Sequence, residues 1–394
     1  MPGGRFWLTA AAATIALLAG GVANAAAAGG DAPTVVTASL DGEIDSATSA
    51  YLAQAIGRAE SARASAFVLL MNTPGGISTS MDEMVTALLN AHVPTIVYVT
   101  PAGARGDSAG LFVAQAADVV AMAPGTNIGS AHPIDATGGN IGGELEQKVV
   151  NDAVARIRDL AASHGRNADW CEQAVRQSVN VDAPQAVSLH VADLQAAALP
   201  ALLAAVDGRE LVRPHGGQEA FHVAGAVIQE DAMPLPLRFL QLILDPNVAY
   251  VLLLLAIFGL LGEVTMPGAI LPGVVGAISA ILALLALSSL PINLAGALLL
   301  LLAFVLFVID IKAPSHGVLT AGGVLSLVLG SAFLFNTGPI GGVALSPLLI
   351  GGAGLACAGF FGFLVGKAVG ARRRPAYDVT VQAAARPADR EEMR

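Results

Sequence analysis

The sequence predicts an α/β domain followed by an all-α membrane domain of about five transmembrane helices. Two observations carry that prediction. Between Ala32 and Gly208 strand-like and helix-like patterns alternate, as in α/β domains with a largely parallel sheet. From Val248 to Gly366 the only charged side chains are Glu263, Asp310 and Lys312. The whole chain agrees: 394 residues are 55% hydrophobic and 13% charged, where a soluble protein carries about a quarter charged residues. That composition excludes a wholly soluble protein and a disordered one. A net charge of −10 leaves no basic face to neutralise phosphates, so no nucleic-acid partner is expected.

The N-terminus, residues 1–25, reads as a secretory signal peptide: Arg5, an apolar stretch from about Phe6 to Ala19, then Ala23-Asn24-Ala25 as a small-x-small cleavage site. The alternative is an uncleaved anchor helix. Either one delivers the following domain, residues 32–208, across the membrane. There Thr34 to Leu40 is β-rich, Ser46 to Ser61 helical, and Ala66 to Asn72 (AFVLLMN) a continuous apolar run suited to a strand buried on both faces. Thr73-Pro74-Gly75-Gly76 is a turn leading to a helix from about Ser78 to Asn90. Thr95 to Thr100 is a strand, Pro101 to Asp107 a loop opening a helix near Ser108, and Val119 to Ala123 a further strand. Residues 209–247 are a linker or a closing segment.

Residues 248–366 divide at Pro, Gly and polar breaks into stretches near the ~20 residues that span hydrocarbon. These are Val248 to Thr265, Ala269 to Leu290, Leu294 to Ile311, Gly317 to Phe335 and Leu345 to Val365. An odd number of spans leaves an extracytoplasmic N-terminal domain and a cytoplasmic C-terminus, where Lys367, Arg372, Arg373 and Arg374 satisfy the positive-inside rule. Lys312 falls on the same side. The tail, 367–394, is short, basic and without a core. Glu263, Asp310 and Lys312 sit at predicted span ends, where interfacial water or mutual pairing can satisfy them, so no ion pathway is expected.

Two loops at strand ends could host chemistry. Adjacent glycines in Thr73-Pro74-Gly75-Gly76 can bring backbone N–H groups to a carbonyl oxygen, although Pro-Gly is also an ordinary turn. Gly106-Asp107-Ser108-Ala109-Gly110 sets a hydroxyl at a helix start, where a serine taken alone is first an ordinary N-cap. Cys171 and Cys357 are far apart in sequence, and seven histidines are scattered without ligand spacing, so neither a disulfide, a metal site nor a cofactor is expected.

Together these segments resemble the ClpP-class serine peptidases and, more closely, the NfeD family of membrane-bound proteases. The resemblance is carried by Asn72-Thr73-Pro74-Gly75-Gly76, Ser108-Ala109-Gly110, and Met122-Ala123-Pro124-Gly125-Thr126-Asn127-Ile128-Gly129 running into His132-Pro133. It continues through Lys148-Val149-Val150-Asn151-Asp152-Ala153, Gly165-Arg166-Asn167, and Met266-Pro267-Gly268 to Pro272-Gly273 in the membrane segment. It implies a ClpP/crotonase-like fold, Ser108 as nucleophile, Lys148 as general base, and the amides of Gly76 and Ala109 as oxyanion hole. A lysine acts as base only when desolvation lowers its pKa, so the expectation is that Lys148 is buried. Soluble ClpP-type enzymes use Ser-His-Asp instead, and His132, 24 residues after Ser108, with Asp182 resembles that spacing.

The resemblance further implies an ATP-independent endopeptidase acting on a peptide or membrane-protein substrate in apolar segments, with a stomatin-like partner, a lipid bilayer around it at the cell membrane, and a homo-oligomer. No GxxxxGK[ST] motif is present. Two departures stand out: Asp107 replaces a small apolar residue before the nucleophile, and the tail is too short for the soluble β-barrel that ends long family members. They keep a catalytically silent, peptide-binding membrane scaffold open as an alternative, and the shared fold does the same for a crotonase-like acyl-CoA enzyme.

Overall fold

A computed structural model describes residues 32–134, 141–211, 220–265, 270–290, 292–312, 317–335 and 345–372. The expected signal peptide, Met266-Pro267-Gly268 and the tail from Arg373 lie outside them. The chain divides into two compact units, one taking in Gly142–Arg238 and the described residues up to Pro133, the other the described residues from Phe239 onward.

The first unit runs β1 (Thr34–Asp41), α1 (Ser46–Ser61), β2 (Ala66–Asn72), α2 (Ser78–Leu89), β3 (Thr95–Val99), β4 (Arg105–Asp107), α3 (Ala109–Gln115), β5 (Val119–Met122), β6 (Asn127–Gly129), α4 (Gly143–Ser163), α5 (Ala168–Arg176), β7 (Asn180–Asp182), α6 (Ala183–Ser188), β8 (Leu194–Gln195), α7 (Leu199–Val206) and β9 (Val227–Glu230). A six-stranded sheet has the order β8-β5-β3-β2-β1-β9, every pair parallel. The apolar run of β2 lies near its centre and is covered on both faces. Alternate residues explain how: Phe67, Leu69 and Met71 join one core with Val97, Val99 and the helix residues Tyr51, Met84 and Ile157. Ala66 and Val68 join the other with Ile96, Tyr98, Leu202, Val206 and Phe221. Within the segment 209–247, Val227–Glu230 adds the edge strand, and Asp231 just after it receives Arg58 Nε and Nη2, each at 2.7 Å.

Helix starts follow local chemistry. Asp45 and Thr48 form a reciprocal capping box, with Thr48 N and Asp45 N each donating at 2.8 Å to the other's side chain. Asn167 caps α5 by accepting from Trp170 N at 2.9 Å.

The Gly165-Arg166-Asn167 motif has a structural role. Arg166 is buried, and its planar fork of donors reaches Asp193 Oδ2 (2.9 Å), Gln115 O (3.1 Å), Ala117 O (2.8 Å) and Asp118 O (3.0 Å). Asp193 Oδ2 also accepts from Val120 N at 2.7 Å, so one ion pair ties the α4–α5 connection to the edge of the sheet. Removing the guanidinium leaves three carbonyls without this donor and takes from Asp193 its buried ion partner, leaving it only Val120 N and the half-exposed Arg209, whose Nη2 lies 2.8 Å from Oδ1. Arg166→Met is therefore expected to destabilise this unit by about 3–5 kcal/mol, read as a lower denaturant midpoint at unchanged slope; a midpoint equal to the parent's would refute the anchoring role.

The second unit contains α9 (Pro246–Thr265), α10 (Ile270–Leu287), α11 (Leu294–Lys312), α12 (Val318–Phe333) and α13 (Pro347–Arg372), preceded by α8 (Leu235–Leu244), which crosses the division between units. Each of the five stretches expected to span overlaps one of α9 to α13, with ends that differ by a few residues. Among the described residues, Pro246–Glu263 and Ile270–Leu287 are long and apolar enough to cross a bilayer; Leu294–Asp310, Val318–Phe333 and Pro347–Phe361 are apolar and shorter. Outward positions such as Leu271, Ile281, Leu284, Leu298 and Leu355 are exposed, a surface suited to hydrocarbon rather than water.

α9 packs on α10 and α11 on α12, and the two pairs are built alike. Ala256, Glu263, Pro267, Gly276 and Ser279 recur 47 positions later as Ala303, Asp310, Pro314, Gly323 and Ser326. The contacts recur too. A methyl group on Gly276 would lie 2.8 Å from Leu260 N, and one on the equivalent Gly323 would lie 2.6 Å from the ring of the equivalent Phe307. Such small residues let helices approach closely where lipid supplies no hydrophobic drive. Glu263 lies against Gly273, whereas Asp310 is buried and accepts from the hydroxyl of Thr320, at the position equivalent to Gly273. The acid of the second pair is thus satisfied by a side chain, while Glu263 Oε2 has no hydrogen-bond partner among the described residues.

Candidate active site

Ser108 follows the three-residue strand β4 and occupies the N-cap position of α3, yet its side chain makes no capping bond, so the hydroxyl is not spent on the helix. Its backbone has φ 55° and ψ −118°, a sparsely populated region for a residue with a Cβ that costs about 1–3 kcal/mol. The surroundings hold it there. Ser108 N donates to Gly129 O at 2.8 Å, and Asp107 N donates to Thr73 O at 3.1 Å. The next residues pack tightly: a methyl group on Gly110 would lie 2.6 Å from Thr73 Cγ2, which explains glycine at that place.

The glycine loop is brought against the serine. A methyl group on Gly75 would lie 2.5 Å from Ser108 Cβ and 2.9 Å from its Oγ. Buried Thr73 braces the loop, its Oγ1 accepting from Gly75 N at 3.1 Å. Ile44 N donates to Gly75 O at 2.8 Å and Ile77 N to Ile44 O at 2.9 Å, a bridge that skips the intervening Gly76 N–H. Gly76 is exposed, and Ala109, as the first helical residue, has an amide that the helix leaves unpaired. Two N–H groups are therefore left for an incoming oxygen beside Ser108.

Gly76 leaves no room for a side chain: with φ 158°, a methyl group would lie 2.1 Å from Ile44 O and 2.5 Å from Ile44 N. Gly76→Ala is therefore expected to push the loop off Ile44 and carry the Gly76 N–H away from Ser108.

The expected bases fare differently. Lys148 stands on α4, whose buried stripe is Val150, Val154, Ile157 and Ala161. Two residues before Val150 is about 200° around the helix, so Lys148 points off that stripe and is exposed, against the expectation of burial. α4 packs on α3, the helix that Ser108 starts. His132 is half-buried; its Nδ1 lies 2.8 Å from Val175 O, which fixes the proton on Nδ1, and its Nε2 lies 3.8 Å from Glu146 Oε1. The structure does not bring Asp182 to His132: its carboxylate caps α6, accepting from Gln185 N at 3.0 Å.

Asp107 is held by two side-chain amides rather than by an ion pair with Arg105. Its Oδ1 accepts from Asn180 Nδ2 at 2.7 Å and Asn127 Nδ2 at 3.1 Å. Burial raises its carboxyl above the usual range, while these amides and the Arg105 charge pull it back. Cys171 is buried with its thiol pushed up to about 12, an inert core residue. Among the described residues no cluster of His, Cys, Asp and Glu could hold a metal.

The family model for the NfeD integral membrane domain matches residues 247–367, and that for the NfeD1b N-terminal domain residues 34–198. Membrane-bound protease PH1510 of Pyrococcus horikoshii is 31% identical over 308 residues, 77% of this chain and 69% of that protein. Membrane protein NfeD1b of Bacillus subtilis is 26% identical over 311 residues, 77% and 68% of the two chains. A solved structure, the 1510-N membrane protease specific for a stomatin homologue from Pyrococcus horikoshii, is 27% identical with a TM-score of 0.48, covering 55% of this chain and 100% of that one.

Proposed function

Because the chain belongs to the NfeD family of membrane-bound proteases, we propose that it is a membrane-anchored, ATP-independent serine endopeptidase cleaving apolar segments of membrane-associated proteins through a Ser108–Lys148 dyad. The observation that carries this reading is the contact between Ser108 and the Gly75–Gly76 loop, with an uncommitted hydroxyl beside two unpaired amides. Lys148 removes the proton of Ser108 Oγ as the hydroxyl attacks the scissile carbonyl. The carbonyl oxygen, now carrying the charge, is held by Gly76 N–H and Ala109 N–H. The lysine then returns the proton to the leaving amine, and water releases the acyl group by the same steps in reverse.

Lys148 is exposed to water in the free chain, so the proposed catalysis requires substrate to displace that water. An apolar peptide does this as it binds, and catalytic hydrogen bonds that are long in the free enzyme tighten on binding. This couples the base to the kind of substrate proposed. The Ser108-His132-Asp182 alternative lacks support from the geometry, since both ring nitrogens of His132 have other neighbours and Asp182 is a helix cap. By analogy with the relative specific for a stomatin homologue, a stomatin-like protein is the proposed partner or substrate. The catalytic domain is assigned to the extracytoplasmic side, with α9 to α13 crossing the membrane and the C-terminus in the cytoplasm.

The exposure of Lys148 favours one second reading, a peptide-binding scaffold without catalysis. Incubating the purified full chain in detergent with fluorogenic apolar peptides and no nucleotide separates the two. Cleavage is expected; saturable peptide binding with no cleavage would favour the scaffold.

A further inference from the structure

We propose that Asp107, Asn127 and Asn180 form a side-chain clasp that positions the nucleophile, with Asp107 and Asn180 as positioning residues for Ser108. The inference rests on the serine-protease reading above and goes beyond it, because nothing in the dyad or the oxyanion hole involves these groups.

The clasp is a product of register. In the three-stranded sheet β4-β6-β7, Asp107 pairs with Gly129 and Gly129 pairs with Asn180. Asp107 and Asn180 are thus two strands apart, about 10 Å at ordinary strand spacing. Their side chains meet because the residue between them has none. Gly129 is obligatory on other grounds as well: with φ 144°, a methyl group there would lie 2.4 Å from Val179 O and 2.7 Å from Asn180 Cα. Over this gap Asp107 Oδ1 accepts from Asn180 Nδ2 (2.7 Å) and from Asn127 Nδ2 (3.1 Å). The two amides are themselves joined, Asn127 Nδ2 donating to Asn180 Oδ1 at 2.9 Å, and Asn180 Nδ2 also donates to Ser130 Oγ at 3.0 Å. A carboxylate offers only acceptors, which fixes the amide orientation.

What the clasp holds is the end of β4. That strand is three residues long, too short to secure its own register, and Ser108 follows it at once in an unfavourable backbone conformation. The strand is pinned on the backbone side by Ser108 N to Gly129 O and on the side-chain side by Asp107. Releasing Asp107 lets β4 slide or twist against β6 and lets Ser108 relax toward an ordinary conformation, away from Gly75 and Gly76. A misplacement of about 1 Å costs a reaction about 10²-fold.

The test uses the full chain in detergent and four variants: Asp107→Ala, Asp107→Asn, Asn180→Asp and the double Asp107→Asn/Asn180→Asp. Readouts are kcat and KM on an apolar peptide, the labelling rate of Ser108 by a fluorophosphonate, and the thermal midpoint. Asp107→Ala is expected to lose about 10–100-fold in kcat and in labelling rate with KM within about twofold. Asp107→Asn keeps an acceptor and should retain most of the rate. Asn180→Asp sets two carboxylates together and should lose it, and the double variant, which exchanges donor and acceptor, should recover it at a thermal midpoint near the parent's. Recovery in the exchange is the outcome a generally destabilising change does not produce. An Asp107→Ala enzyme with parental kcat and labelling rate, or a double variant no better than Asn180→Asp, would overturn the clasp. A Ser108→Ala control that still cleaves would instead overturn the serine-protease reading itself, leaving the two failures distinct.

Discussion

Replacing Ser108 with alanine is expected to reduce peptide cleavage by about 10⁴–10⁶-fold, to the residual rate that binding and an oxyanion site alone sustain. The expectation is this large because the hydroxyl is the bond-forming atom in the proposed mechanism and the neighbouring Thr73 hydroxyl is already committed. Thr73 is buried and its Oγ1 is engaged with the Gly75 backbone. The substitution should leave the fold intact: alanine keeps the Cβ that packs on Gly75, and the hydroxyl removed made no capping bond. Binding of an apolar peptide should survive, so inactive protein that still binds substrate is the predicted signature. The measurement is turnover together with equilibrium binding on the same preparation, and full activity in Ser108→Ala would end the mechanism proposed.

The second large effect concerns the base. Lys148→Ala is expected to lower kcat by about 10²–10⁴-fold, the range supplied by one general base, while His132→Ala should keep most of the parental rate. The argument is geometric on both sides. His132 is fixed by the Val175 carbonyl and neighboured by Glu146, and its removal leaves the Ser108 loop and the Gly75–Gly76 loop untouched. Lys148, extending from the exposed side of α4, is free to fold onto a bound chain, and a methionine of similar length would preserve its packing without its nitrogen. Lys148→Met and Lys148→Ala should therefore be equally inactive. Loss of activity in His132→Ala with retention in both Lys148 variants would reverse the assignment of the base.

Long elements were legible in the sequence because burial writes a period into them. The doubly covered run Ala66 to Asn72 and the helix Ser46 to Ser61 occupy the residues their patterns suggest. β4, β6 and β7 did not announce themselves, being three residues each and paired across gaps of some 20 and 50 positions that no local pattern spans. The candidate site divides the same way. Ser108 and the glycine loop could be read from their loops, and the structure adds their contact. Asn180 could not, since its relation to Asp107 exists only through the register on Gly129. The exposure of Lys148 was within reach: its angle to the apolar stripe beginning at Val150 follows from helical geometry alone.

The likeness between the α9–α10 and α11–α12 pairs bears on how such a domain can change in length. Where both helices of a pair cross the bilayer, as proposed, the chain returns to the side from which it entered, which would set Glu263 and Asp310, each near the end of the first helix of its pair, toward the same compartment. Adding or deleting a whole pair leaves everything before and after it on its original side, whereas a single added helix inverts all that follows. In the proposed five-span arrangement such hairpins are added or lost in steps that preserve sidedness, and the unpaired α13 is what sets the C-terminus on the face opposite the catalytic domain.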